Sequence, residues 1–201
     1  MMSLIDQLTA EAVQRSLLEP GQAIGLEDAF YLVRDMTYMR ASDRQPETLI
    51  REWRGTCSGK HYLLQALYEE LGYRSHVIAC TSVEMIPAHQ VPDEIRDLWV
   101  VAGGRFVDVH NYLVLSLPDG DMVVDATWPV GNEKYGLKVN QDFELGQDQQ
   151  IACTPSETWV VPEDGDPQAF KEKLLREHFT PQELAFRDAF VVALSEWLET
   201  E

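Results

Sequence analysis

The chain has 201 residues, enough to bury a sizeable core as one domain, and sets 16 Lys and Arg against 34 Asp and Glu, a net charge of −18 with His neutral. That negative excess repels phosphate backbones and anionic lipid surfaces, so neither nucleic acid nor membrane is expected as a partner. It also weighs against a large polyanionic cosubstrate such as an acyl-coenzyme A. No apolar run approaches membrane-spanning length, the N-terminus lacks the features of a secretory signal, and three cysteines without CxxC spacing fit a reducing cytoplasm.

Apolar residues at helical spacing from Leu4 to Leu18 predict a first helix, ended by Glu19-Pro20-Gly21. Leu26 to Met39 reads as a second helix, and residues 41–46 as a polar loop. The stretch from Cys57 to Leu71 carries Leu63, Leu64, Leu67 and Leu71 and ends at Gly72, a good C-cap. The period then becomes extended. Arg74–Val83 is expected as a strand and Met85–Pro92 as a loop. Leu98–Ala102 and Arg105–Leu117 should form a hairpin around Gly103-Gly104, and a turn at 117–120 leads into a strand over Met122–Trp128. Residues 130–165 show only short β-prone pieces at 150–153 and 158–161. Asp166-Pro167 opens a helix, and Thr180-Pro181-Gln182-Glu183 a second with a capping-box signature.

Chemistry concentrates around Cys57, in Arg54-Gly55-Thr56-Cys57-Ser58-Gly59-Lys60. A thiol in the first turn of a helix faces unpaired N–H groups and the positive end of the helix dipole, which favour the thiolate. His110 lies in the strand 105–117 and Asp125 in the one after it. A cysteine nucleophile needs a base, a group that fixes the base's tautomer and donors for the oxyanion, so Cys57, His110 and Asp125 are the candidate catalytic residues. The Cys57 N–H is one candidate oxyanion donor, with Trp53 and Gln45 as candidates for the second. A two-residue turn at Asp119-Gly120 would set Asp125 opposite Val114. His110 and Asp125 then share a face but stand four positions apart, roughly 13 Å at about 3.4 Å per residue. A bulge, strong twist or slipped register is needed to join them.

The other reactive side chains carry weaker signals. Cys80 and Cys153 read as buried small hydrophobes. Cys57 and His61 stand at i, i+4, a spacing that can hold a metal on a helix, but no second pair accompanies them and the coincidence is discounted. Asp108-x-His110 is a two-residue match on one strand face, and His76 and His89 stand alone. No metal and no cofactor are expected.

The segment from Arg54 to Leu64, with Leu71-Gly72-Tyr73, resembles the active-site helix of the transglutaminase-like superfamily, in which a G-x-C helix start precedes an apolar helix ending in L-G. His110 to Leu115, a turn, and Val124-Asp125-Ala126-Thr127-Trp128 resemble that family's H-x-x-x-x-V, turn, V-D-x-T pattern. The resemblance covers about residues 50–130. It implies an α+β, papain-like fold with an active-site helix on an antiparallel sheet, and places the family's nucleophile, His and Asp on Cys57, His110 and Asp125. Arg54-Gly55-Thr56-Cys57 also echoes the R-G-G-x-C of arylamine N-acetyltransferases. There Thr56 replaces a glycine and Asp125-Ala126-Thr127 replaces D-V-G, and the chain is short for their extra domain.

The expectation is thus a single domain over 1–201, with a core at about 45–165 and helical extensions over 1–40 and 166–201. Its activity would be acyl transfer or hydrolysis at an amide or peptide bond through a Cys57 thioester, on a peptide, protein or small amide substrate. The alternatives are an arylamine N-acetyltransferase-like acyltransferase and a non-catalytic scaffold of the same fold. The stripe Leu184, Phe186, Phe190, Val191, Leu194 and Leu198 is too apolar to leave in water. It should cover the core, the N-terminal helices or a second copy in a homo-oligomer.

Overall fold

In the computed structural model, which describes residues 2–200, helix α1 runs over Leu4–Gln14. Ser3 caps it by accepting from the Asp6 N–H, and the Glu70 carboxylate accepts from the N–H groups of Leu4 and Ile5 at 2.8 and 2.9 Å. It stops four residues short of the expected end because Ser16 turns left-handed, φ 62°. That lets the Leu17 N–H reach back to the Ala12 carbonyl. Helix α2 covers Leu26–Arg34 and also ends early. The chain past Asp35 leaves the helix so that Thr37 can bridge to Arg54. A short helix α3 over Pro46–Glu52, absent from the sequence reading, starts with proline at a position that needs no N–H and buries Thr48, Leu49 and Ile50.

Helix α4, Cys57–Glu70, begins and ends almost where the pattern predicts. Gly72 at φ 85° closes it, with the Tyr73 N–H on the Tyr68 carbonyl. Strand β1 spans Arg74–Met85, helix α5 Asp93–Val101, β2 Arg105–Leu117, β3 Gly120–Val124 and β4 Pro155–Val160, before helices α6, Pro167–His178, and α7, Pro181–Thr200. Two short 3-10 helices cover Ala88–Gln90 and Val130–Tyr135. The four strands make one sheet in the order β3-β2-β1-β4. The architecture is α+β: α4 packs on a four-strand antiparallel sheet, with helices at both ends of the chain.

Two expectations for the sheet change. Leu98–Ala102 is not a strand but the last turn of α5. Its β-prone Leu98-Trp99-Val100-Val101 is overridden by acids in the first turn and by Ile95 and Trp99, four residues apart, which bury together. Strand β3 ends at Val124, not Trp128. The next two N–H groups are taken by side chains, Asp125 N–H by Gln149 Oε1 and Ala126 N–H by His61 Nε2.

The chain divides into two compact units, Met1–Val77 with Tyr112–Ala152 and Ile78–Asn111 with Cys153–Glu201. In the first, Leu63, Leu64 and Leu67 of α4 share the interior with Leu8, Phe30 and Leu49 of α1, α2 and α3. In the second, Trp99 and Phe190 meet at a ring separation of 5.0 Å, with Val91 and Ile95 beside them. Of the α7 stripe, Phe186, Phe190 and Leu194 pack in this cluster. Among the described residues no helix is long and apolar enough to cross a membrane.

Candidate functional site

The approach to Cys57 is a strained, pinned loop. Trp53 closes α3 in the left-handed conformation, φ 52°, a position that a bulky residue holds only when its surroundings demand it. The surroundings do so. Thr37 N–H donates to the Trp53 carbonyl, Gly55 N–H returns to the Thr37 carbonyl, and the Arg15 guanidinium lies over the indole, 5.0 Å from its centroid. Glu52, hydrogen-bonded by Ser42 and Arg54, is held as a carboxylate at about 2. Thr56 is extended, and Cys57 is the first residue of α4.

No side chain caps this helix start and no acid sits in its first turn, so the dipole's positive end is not offset locally. Cys57 is 3% exposed. Gly55 and Gly59 allow the turn to lie against Leu49, because a Cβ on Gly59 would stand 2.8 Å from Leu49 Cδ2.

Lys60 and His61, the latter discounted as a metal ligand in the sequence, tie this helix turn to the backbone around it. His61 sits 2.7 Å through Nδ1 from the Cys57 carbonyl, and its Nε2 accepts the Ala126 N–H at 2.9 Å. This pattern defines the Nδ1–H tautomer and occupies both ring nitrogens with backbone. Lys60 is fully buried, with Nζ donating to the carbonyls of Arg34 at 2.7 Å and Thr127 at 3.0 Å. Burial pushes its ammonium down to about 7, against the pull of Asp35, Asp125 and Cys57. Residues 57–61 are all buried, so nothing in this turn faces solvent, and no local sequence signal marks it.

Asp125 follows β3 and is buried. Its Oδ1 accepts the Thr127 N–H at 3.0 Å, its Oδ2 the Ala152 N–H at 2.8 Å, and His61 Nε2 lies 3.7 Å from Oδ1. The β2–β3 turn comes earlier than expected: Leu117 pairs with Gly120 and Leu113 with Val124. The pairing stops at Val124. The first unit thus gathers Cys57, Lys60, His61 and Asp125 around one buried helix turn.

His110 belongs to the second unit, buried on β2. Asp108, two residues before it, receives Arg187 Nε of α7 at 2.7 Å, with Lys171 Nζ of α6 at 3.9 Å. Burial drives the Asp108 carboxyl upward, but the two cations outweigh it and leave it below the ordinary carboxylate value. Cys80 and Cys153, read separately in the sequence, stand 3.7 Å apart. The hydrogen bond between them, then burial, pushes the Cys153 thiol far up. Gln45 is the exposed N-cap of α3, Trp53 is buried, His76 is half-buried on β1 and His89 exposed. Among the described residues no group of three His, Cys, Asp or Glu side chains could hold a metal ion.

Comparisons with family models, curated proteins and solved structures found no match to this chain. The family resemblance therefore rests on the motif residues of the sequence.

Proposed function

We propose that the protein is a cysteine-dependent acyl-transfer enzyme of transglutaminase-like, papain-like design, acting chiefly as a hydrolase of amide or peptide bonds. The observation that carries the reading is the place of Cys57, the first residue of an uncapped helix with no acid in its first turn. Asp125 supports it, a carboxylate buried beside that turn and held by two backbone N–H groups. His110 takes the role of acid–base partner from the motif order.

In this reading the Cys57 thiolate attacks the carbonyl carbon of the amide, and the oxyanion is met by the N–H groups of the helix start. The His110 imidazolium gives its proton to the departing amine as the C–N bond breaks, leaving a thioester on Cys57. His110 then takes a proton from water as the hydroxide oxygen bonds to the acyl carbon. The carboxylic acid leaves, and the Cys57 thiolate and His110 imidazolium are restored. Asp125 fixes the imidazole's tautomer and supports its charge.

Competitive labelling with a limiting dose of iodoacetamide, read by peptide mass spectrometry, tests the activated thiol. Cys57 should alkylate ahead of Cys80 and Cys153, and keep reacting below the free-thiol value of about 8.5. Asp125→Asn should slow Cys57 while the protein stays folded. Preferential labelling of Cys80 or Cys153 would contradict the reading and leave a non-catalytic scaffold in its place.

A further inference from the structure

We propose that Lys60 is a positioning residue for Cys57, a buried amine whose positive charge sustains the Cys57 thiolate and whose two hydrogen bonds hold the turn that carries Asp125. The inference rests on the reading of Cys57 as the nucleophile and goes further, naming the group that sets the thiol's ionisation.

A fully buried lysine is unfavourable unless something compensates for its lost hydration, and an apolar side chain of similar volume would pack here at lower cost. Lys60 has no carboxylate hydrogen-bonded to it. Its Nζ donates to two main-chain carbonyls, Arg34 at the end of α2 and Thr127 just past Asp125. Thr127 in turn donates its N–H to Asp125 Oδ1, so the amine joins the first turn of α4, the end of α2 and the Asp125 segment. Lys60 stands three residues after Cys57, one helical turn on, and the stem passes close to Gly55.

The titratable groups around the amine are few. From α2 come Arg34 and its C-cap neighbour Asp35, paired with each other at 2.6 Å so that their charges largely cancel. From the segment after β3 comes Asp125, whose oxygens already accept two backbone N–H groups. From α4 itself come Cys57 and His61, whose ring nitrogens are both engaged with backbone. Against this background the charge on Lys60 favours the thiolate, while the Asp125 carboxylate opposes it.

The hydrogen-bond count allows that charge to change in place. A neutral amine has two N–H donors for the two carbonyls, and an ammonium has a third. The amine can thus gain or lose a proton near neutral pH without breaking the clamp, consistent with its depressed value of about 7. Coupling between two titrating groups is reciprocal: the ammonium favours the thiolate, and the thiolate favours the ammonium.

The test is the pH profile of Cys57 ionisation, followed by thiolate absorbance and by the alkylation rate, in the wild type and in Lys60→Met. Loss of the charge should raise the apparent thiol pKa and reduce the thiolate fraction on the acid limb by about tenfold. A purely structural lysine would lower the melting temperature and leave the profile where it was, and that result overturns the proposal. Should Lys60→Met not fold, the Lys60 ζ-nitrogen is titrated by NMR in wild-type protein before and after Cys57 is blocked as a methyl disulfide. The Lys60 midpoint should fall on blocking, and an unmoved midpoint contradicts the coupling. A profile that moves in a protein forming no acyl-enzyme would uphold Lys60 and sink the acyl-transfer reading. An acyl-enzyme with an unmoved profile would do the reverse.

Discussion

His61 and Ala126 are locked together across the first unit: the Ala126 N–H, fully buried, donates to His61 Nε2 at 2.9 Å, while Nδ1 faces the carbonyl of Cys57 at 2.7 Å. One imidazole therefore ties the cysteine's turn to the residue after Asp125. His61→Leu fills the same space but leaves the Ala126 N–H buried without its acceptor. It should cost about 2 kcal/mol, read as a lower urea midpoint, and should slow Cys57 alkylation. A variant as stable and as reactive as the wild type would show that the imidazole does not hold this turn.

Gly59 is required by contact, not by backbone freedom. In an isolated helix Gly→Ala would stabilise by about 1 kcal/mol. Here the new Cβ would lie 2.8 Å from Leu49 Cδ2, inside a buried contact. Gly59→Ala should therefore destabilise by about 1–2 kcal/mol. Adding Leu49→Ala should cost less in that background than in the wild type, because the clash is relieved. Additive losses in the double-mutant cycle would rule out the contact as the cause.

The Lys60 contribution to stability should rise from neutral toward alkaline pH. Lys60 binds its proton up to about 10.4 in the unfolded chain but only up to about 7 when folded. Between these values the unfolded state holds the extra proton, so rising pH favours the folded state, and below about 7 this contribution is flat. Asp108 acts at the acid end. Its folded value lies below the unfolded one, so its contribution is complete above the unfolded carboxylate range and is lost as pH falls through the folded value. Urea midpoints at about pH 7 and about pH 9 should differ less in Lys60→Met than in the wild type. Equal differences would contradict the burial account.

Much of the fold was legible because its signals are local. Cys57 after Thr56, Gly72 at the end of α4 and the limits of β2 follow from capping and periodicity, and agree with the structure within a residue. What was not legible depends on distant partners. Trp99, Val100 and Val101 read as strand until the packing of Ile95 and Trp99 against Phe190 makes them helix. The turn at Leu117–Gly120 was legible, but the register depends on which two of its residues form the tip, and Pro118-Asp119 do, not Asp119-Gly120. Lys60 drew no role and His61 only a discounted metal spacing, because nothing local announces that every side of that turn is covered. Cys80 and Cys153 lie 73 residues apart in the chain, so their contact could not be seen from spacing.

Helix α7 belongs to the second unit's interior. Phe186 packs edge-on and Phe190 tilted against Trp99, Phe190 also meets Phe106, and Arg187 supplies the near partner of buried Asp108. At roughly 1.5–3 kcal/mol for each large side chain buried, ending the chain before Pro181 should cost several kcal/mol and expose Trp99. Tryptophan emission should shift to the red and the melting temperature fall. A truncated protein that melts like the full chain would show the helix to be dispensable.

The central claim is that Cys57 carries an acyl group. The full chain is mixed with an activated ester, p-nitrophenyl acetate, quenched in acid at short times and mapped by peptide mass spectrometry. A burst of nitrophenolate with one acetyl group on Cys57, lost in Cys57→Ser and in a folded His110→Ala, is the predicted result. Acetyl groups confined to lysines, or a burst that survives Cys57→Ser, would contradict it.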